Sequence, residues 1–175
     1  SWISIHAPDL WPERSKEWYG RYEEAFWQDR GWAVGFREFS KESSVPEWFF
    51  EIDAGPILDG FGTAANAFGM GAARKHGRFD QAYTLSAEML AVSWPLPDGT
   101  LLGPRVLSHA ADAPYLGEAG ILYILTVNPS EGQTIVTGGK IPLLVWGFLS
   151  VCVGQTLFTV ALLVLGARKM LKKAA

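Results

Sequence analysis

The sequence predicts a mainly α protein: a helical-hairpin body with a small β-hairpin, followed by one C-terminal transmembrane helix. Three observations carry that prediction. Residues 141–166 (IPLLVWGFLSVCVGQTLFTVALLVLG) run for 26 residues without a charge, and a bilayer core about 30 Å thick needs roughly 20 apolar residues at helical rise. Upstream, apolar residues recur at helical spacing in 12–28 and in 79–92. Between those two segments, residues 63–75 are dominated by alanine and glycine and end just before Gly77.

Taken in chain order, residues 1–11 read as extended, with Trp2, Ile3 and Ile5 alternating. Pro12 suits the first turn of a helix reaching about Gln28. Its Trp18, Tyr22, Ala25 and Phe26 fall on one helical face, with Glu23 and Glu24 turned away. Gly31 and Gly35 bracket Trp32 and break that helix. Residues 36–39 are short and extended, and Ser43, Ser44 and Pro46 make a loop. Residues 51–62 (EIDAGPILDGFG) form an Asp- and Gly-rich loop that leads into a helix over 63–75. There Ala64, Ala65, Ala67, Gly69, Gly71, Ala72 and Ala73 are all small. An interior glycine costs about 1 kcal/mol relative to alanine, and close approach of another helix is the usual compensation. Gly77 fits the residue that ends a helix in left-handed conformation. A second helix follows over 79–92. Leu96-Pro97-Asp98-Gly99 is a turn, closing a hairpin between 93–96 and 100–102 that Pro104 ends. Residues 110–115 form a loop rich in small residues, and 116–127 a third, apolar helix.

These elements divide the chain into a body (1–127), a polar linker (128–140), a transmembrane helix (141–167) and a basic tail (168–175). Arg168, Lys169, Lys172 and Lys173 follow the span, while Lys140 stands alone before it. The positive-inside rule then puts the C-terminus in the cytoplasm and residues 1–140 outside. Trp146 is placed as an anchor at the outer interface, and the four cations suit the anionic cytoplasmic leaflet. Gly147, Gly154 and Ala161 recur every seven residues, and Ser150 lies four before Gly154. Small residues on one stripe let a second helix come close. Gln155 and Thr156 add hydrogen-bonding capacity at mid-membrane depth. The expected partners are membrane lipid and other transmembrane subunits contacting residues 141–167.

The overall charge of −3 hides an asymmetry: residues 1–140 hold all 18 acids against 11 cations, a net −7, and the tail is +4. An acidic body excludes nucleic acid, whose phosphates need a basic face. The single cysteine, Cys152, lies inside the span. A disulfide-free body in an oxidising compartment fits a bacterial periplasmic protein with a sufficient core. An exported body with a C-terminal anchor also implies a removed signal peptide or upstream segments before Ser1.

The run Trp18-Tyr19, Tyr22-Glu23, Phe26-Trp27, then Gly35-Phe36-Arg37-Glu38-Phe39, then Asp53-Ala54-Gly55-Pro56-Ile57 with Gly60, Gly62, Ala64 and Ala65, carries a family resemblance. Residues 18–90 resemble the late helical hairpins of α/α-toroid bacterial membrane proteins of the linalool dehydratase/isomerase type. More distantly they are similar to α/α-barrel glycosidases. The resemblance implies a partial α/α-toroid-like body with the loop at Asp53–Pro56 near one mouth of the ring. A closed ring takes many more helices than this body supplies, so an enzyme of that type would be incomplete here.

Candidate chemistry follows from a few side chains. Asp53 and Asp59 flank the Gly55-Pro56 turn, and paired carboxylates serve as general acid and base in glycoside cleavage. Their alternative roles are local: Asp53 bonding turn amides, and Asp59 capping or charge-matching the following helix. Arg37, between Phe36 and Phe39, would hold a carboxylate such as Asp53, either within the structure or beside a ligand. Gly60-Phe61-Gly62-Thr63-Ala64-Ala65 fits a loose dinucleotide pattern with Asp80 downstream, yet 77–92 reads as a helix where a second strand is required. His6, His76 and His109 have no metal-ligand spacing, so no zinc, haem or other cofactor is expected. His109, Asp112 and Tyr115 are placed to line a cleft.

The expected function is therefore that of an accessory or assembly subunit of a membrane complex, acting through its span. The alternative is the C-terminal part of a toroidal hydrolase or lyase acting on a glycan or hydrophobic substrate, with Asp53, Asp59 and Arg37 as its candidate catalytic residues.

Overall fold

The computed structural model describes residues 2–52, 54–96, 98–110 and 112–174. Among these residues the protein is mainly helical, with two small antiparallel sheets and one long apolar helix at the C-terminus. Helices α1 (Trp2–Leu10) and α2 (Pro12–Phe26) come first. Strands β1 (Trp27–Asp29) and β2 (Val34–Phe36) pair with each other, and β3 (Trp48–Glu51), β4 (Gly55–Leu58) and β5 (Phe61–Gly62) form the second sheet in that order. Helices α3 (Thr63–Lys75), α4 (Phe79–Val92), α5 (Leu102–Ala110), α6 (Leu116–Thr126) and α7 (Leu143–Ala174) complete the chain.

Helix α3 is the hub. Its small residues let its neighbours come close, chiefly α1, α4, α6 and β2. A Cβ on Gly69 would lie 2.2 Å from the ring of Phe36, and one on Gly71 would lie 3.0 Å from Ile5 Cδ1. Phe36, Met70, Ala72 and Ala73 are fully buried, with Ile5, Tyr19, Ala82, Leu85 and Ile124 around them. Tyr22 stacks on Phe36 at 4.6 Å, and Trp27 meets its other side edge-on at 4.9 Å. The expected compensation for glycine in 63–75 is thus close packing, by a strand aromatic as much as by helices. Gly77 sits at φ +74° as anticipated, and a Cβ there would lie 2.5 Å from the Thr134 carbonyl oxygen.

The structure corrects the reading of three segments. Residues 2–10 are helical where an extended chain was expected, because burial of Ile5 and Ala7 on α3 outweighs a short alternation. Pro8 inside that helix has no N–H to offer the Ser4 carbonyl four residues back. His76 Nε2 lies 3.1 Å from that oxygen. A carbonyl only accepts, so Nε2 carries the proton and fills the donor place that Pro8 leaves vacant.

Strands β3, β4 and β5 form a three-stranded antiparallel sheet, where a loop was expected over 51–62. Asp59 (φ 55°) and Gly60 (φ 82°) form a two-residue hairpin turn between Leu58 and Phe61. Asp-Gly with both φ positive is the turn whose twist matches paired strands. Asp59 and Gly60 thus mark a turn between two short strands. Finally, the expected hairpin after α4 reduces to a single bridge between Pro95 and Leu101, and 102–110 is a helix. Pro104 lies in its first turn, where a missing N–H has no consequence.

Residues 128–140 are strapped to the body. Ser130 N–H donates to the Lys75 carbonyl, Val136 N–H to Gly77, and Asp80 N–H to Val136. Thr84 Oγ1 donates to the Lys140 carbonyl at 2.8 Å, and Lys140 Nζ pairs with Asp29. Helix α7 then starts against the body: Leu144 N–H donates to the Trp32 carbonyl at 2.8 Å, Val145 is buried, and Trp94 meets Phe148 edge-on. Beyond that point α7 stands free. It runs 32 residues, so the basic segment from Arg168 continues the helix as far as Ala174.

Candidate functional site

Arg37 and Asp59 are brought into one network at the turn end of the second sheet. Arg37 follows β2 and bridges to Phe61 of β5, which buries its guanidinium at 8% exposure. Its Nη1 donates to Gln28 Oε1 and to Glu47 Oε1, each at 2.9 Å, and its Nε to the Phe39 carbonyl. Gly60 is required beneath it, since a Cβ there would lie 2.7 Å from Nη1. Glu47 also pairs with Arg30 at 2.7 Å. The Arg37 hydrogen bond holds the Glu47 carboxyl below its ordinary range. Asp59 Oδ2 accepts from Trp32 Nε1 at 3.0 Å, Arg30 lies 3.6 Å from Oδ1, and the Asp59 carbonyl accepts from Gln28.

Among the described residues the carboxylate held by Arg37 is that of Glu47; Asp53 lies outside the described residues. Asp59 does not cap α3: a glycine, Gly62, occupies the cap position, and Glu38 Oε2 lies 3.3 Å from the Ala65 N–H in the first turn. Chemically the cluster ties strands to the Trp32 loop, and its carboxylates are held by arginines and an indole rather than aimed into a cavity.

A second network escaped the sequence reading. Tyr19 donates from its hydroxyl to Gln81 Oε1 at 2.6 Å, and Gln81 Nε2 donates to Glu23 Oε1. Arg78 reaches Glu23 Oε2 at 2.5 Å and grips Asp80 through two nitrogens at 2.8 and 2.9 Å. Glu23, expected to face away, pairs inward because α2 lies over the turn between α3 and α4. Asp80 is an ion-pair partner in a helix hairpin, with no second strand for a dinucleotide fold. Burial pushes the Tyr19 hydroxyl well above its ordinary value. His76 stacks on Tyr19 at 4.3 Å, and burial lowers its pKa to about 4, so it is neutral. The available signal was Gln81 and Thr84 on a helix face that otherwise reads as apolar.

His109, Asp112 and Tyr115 do line one cleft, between α5 and α6, with Arg105 and Glu118. Its volume is about 690 Å³ and it is widely open to solvent. Ser108 Oγ accepts from the Gly117 N–H and donates to Glu118 Oε2 at 2.5 Å, and this Ser108 hydrogen bond holds the Glu118 carboxyl below its ordinary range. Among the described residues no group of three or more His, Cys, Asp or Glu side chains is arranged to hold a metal.

On α7, Gly147, Ser150, Gly154 and Ala161 are all exposed, and a Cβ on Gly147 or Gly154 would touch nothing within 4 Å. Trp146 is exposed near the start of the helix, and Arg168 and Lys169 are exposed near its end. The side chains of Lys172 and Lys173 lie outside the described residues. Thr156 and Thr159 hydroxyls donate to the carbonyls of Cys152 and Gln155 one turn back, so both are satisfied within the helix. Comparison with protein-family models, with curated proteins and with solved structures finds no match to this chain.

Proposed function

We propose that this chain is a single-span membrane protein acting as an accessory or assembly subunit of a larger bacterial membrane complex. Residues 1–140 are extracytoplasmic and the C-terminus is cytoplasmic in this reading. One observation carries it: the apolar segment Leu143–Leu171 covers 29 residues, and none of its most apolar window is buried against the body. Leaving so much apolar surface in water would cost roughly 25 cal/mol per Å². Lipid and partner helices remove that cost. The strapped linker supports the same reading, because it transmits any movement of a packed span to the body.

Substituting Gly154→Leu fills the open stripe. Blue-native electrophoresis of solubilised membranes should then show loss of the larger species, with the body still folded. Unchanged co-migration of every partner would reject the proposal. Fusing a periplasm-dependent reporter at each end tests the orientation independently.

A second reading, the C-terminal part of a toroidal hydrolase or lyase, draws support from the successive helix pairs α1–α2, α3–α4 and α5–α6. It requires an open reading frame continuing upstream of Ser1. It also requires Asp53→Asn to abolish turnover without unfolding the body.

A further inference from the structure

We infer that α5 is a second membrane contact, lying in the headgroup–acyl boundary of the leaflet through which α7 enters. The inference rests on the membrane-anchor reading of α7 and adds a surface to it.

The geometry follows from four contacts. Thr84 on α4 meets Lys140, and two residues past the C-terminal end of α4 the ring of Trp94 meets Phe148 at 6.1 Å. Helix α4 therefore runs beside the start of α7 in the same direction, with its C-terminal end toward the membrane. Counting about 20 residues back from Arg168, for a core about 30 Å thick, reaches Phe148. Trp94 thus stands level with the outer edge of the hydrocarbon, the depth that tryptophan favours. Helix α5 starts from this point, since Leu102 N–H donates to the Trp94 carbonyl and Gly103 N–H to the Ser93 carbonyl.

The far end of α5 lies at the same level. It packs on the first turn of α6 through Ser108 and Gly117. Helix α6 then runs away from the membrane: the carbonyl of Val127, just past its end, accepts from Arg74 at the last turn of α3. Helix α3 is antiparallel to α4, so its last turn marks the distal end of the body. Helix α5 is therefore laid across the membrane-side end.

Its two faces differ. Pro104 and Ser108, one turn apart, point inward and are buried. Leu102 and Val106 point outward, with Val106 at 58% exposure; Val92, 49% exposed, precedes Ser93, whose carbonyl accepts from the Gly103 N–H. Arg105 and His109 flank this outward stripe and are also exposed. An apolar stripe edged by cationic or donor side chains is the pattern of helices that lie in a bilayer interface. There the alkyl groups enter the acyl boundary, and Arg105 and His109 donate to lipid phosphates. The surface is continuous with the lipid-facing side of α7 through the Trp94–Phe148 contact. That continuity commits the face to the same bilayer.

The test uses the full chain with Cys152→Ser, reconstituted in phosphatidylethanolamine/phosphatidylglycerol vesicles. Single cysteines are introduced by Val92→Cys, Val106→Cys, Leu10→Cys or Leu157→Cys and labelled with an environment-sensitive fluorophore. Leu10 is exposed at the distal end, where its neighbour Asp9 pairs with Lys75, and Leu157 is exposed within the span. Brominated acyl chains should quench the labels at 92 and 106 and shift their emission to the blue. The label at 10 should stay unquenched, and the label at 157 should be quenched most. If 92 and 106 behave like 10 while 157 is quenched, α5 is not a membrane contact, although the span stands. If 92 and 106 are shielded from water yet unquenched, a protein covers the face and the lipid assignment falls. If 157 itself is unquenched, the anchor reading fails and takes this inference with it.

Discussion

Helices α3 and α7 use the same small-residue vocabulary and end up in opposite situations. In α3 the gaps left by its two glycines are filled from within the chain: Phe36 occupies the space at Gly69, and Ile5 the space at Gly71. In α7 the spaces at Gly147 and Gly154 are open. A glycine stripe is thus permission for close approach and not evidence of it. What differs is the surroundings. Strand β2 and helices α1, α4 and α6 converge on α3, while α4 and the Trp32 loop reach the first turns of α7. Substitutions in the two helices, followed by chemical denaturation of the body in detergent, should differ accordingly.

The largest effect is expected at the filled gap. Phe36→Ala should cost about 3–5 kcal/mol, as for a fully buried aromatic. Gly69→Ala should cost about 1–3 kcal/mol through overpacking, despite a helix-propensity gain of about 1 kcal/mol. The ring it strikes is held between Tyr22 and Trp27 and has nowhere to turn. A neutral Gly69→Ala would mean that α3 is not tightly enclosed.

His76→Leu should cost about 1–3 kcal/mol by stranding the Ser4 carbonyl that Pro8 cannot serve. The wild-type imidazole adds a pH signature. Its folded pKa is lowered from 6.5 to about 4. Above pH 6.5 the neutral ring is favoured in both states, and as pH falls toward 4 the unfolded chain gains a proton that the fold refuses. Stability is therefore lost between pH 6.5 and 4, and that slope should flatten in His76→Leu.

Glu88 has the opposite sign. It is half-buried on α4 and accepts from the Val34 N–H at 2.9 Å, and burial raises its pKa from 4.5 to about 7. Its charged form weakens the fold, with the penalty growing from pH 4.5 and complete above 7. Glu88→Gln keeps the acceptor and removes the charge. A gain of about 1–2 kcal/mol is expected at pH 8, the full shift being discounted for water reaching the carboxyl, and none at pH 4. A gain equal at both pH values would assign the effect to packing.

The smallest effect marks the other side of the contrast. Gly154→Ala should leave the unfolding of the body within about 0.5 kcal/mol of wild type, as for substitutions that touch nothing. A destabilised body would show that α7 folds back onto it.

Helices over 63–75 and 79–92 were legible because their boundaries are local: Gly77 must take positive φ, and the apolar spacing repeats. The helix over 2–10 was not, because what selects it is Ile5 meeting α3 and a histidine some 70 residues away standing in for the proton Pro8 lacks. The Asp59-Gly60 hairpin was present as a local signal and was masked by the surrounding Asp and Gly residues. Of the candidate residues, Arg37 was correctly expected to hold a carboxylate, but sequence could not choose Glu47. That choice depends on where the loop before β3 passes over the second sheet.

The sequence by itself determined the apolar length of 141–166, the charge asymmetry about it and the helical hairpin built on small residues. Each is a property of neighbouring residues along the chain. Only the tertiary structure decided which glycine gaps are filled, which carboxylates pair, and that α5 starts where the end of α4 meets α7. Those are settled by which distant segments meet, and burial then fixes each side chain's partner.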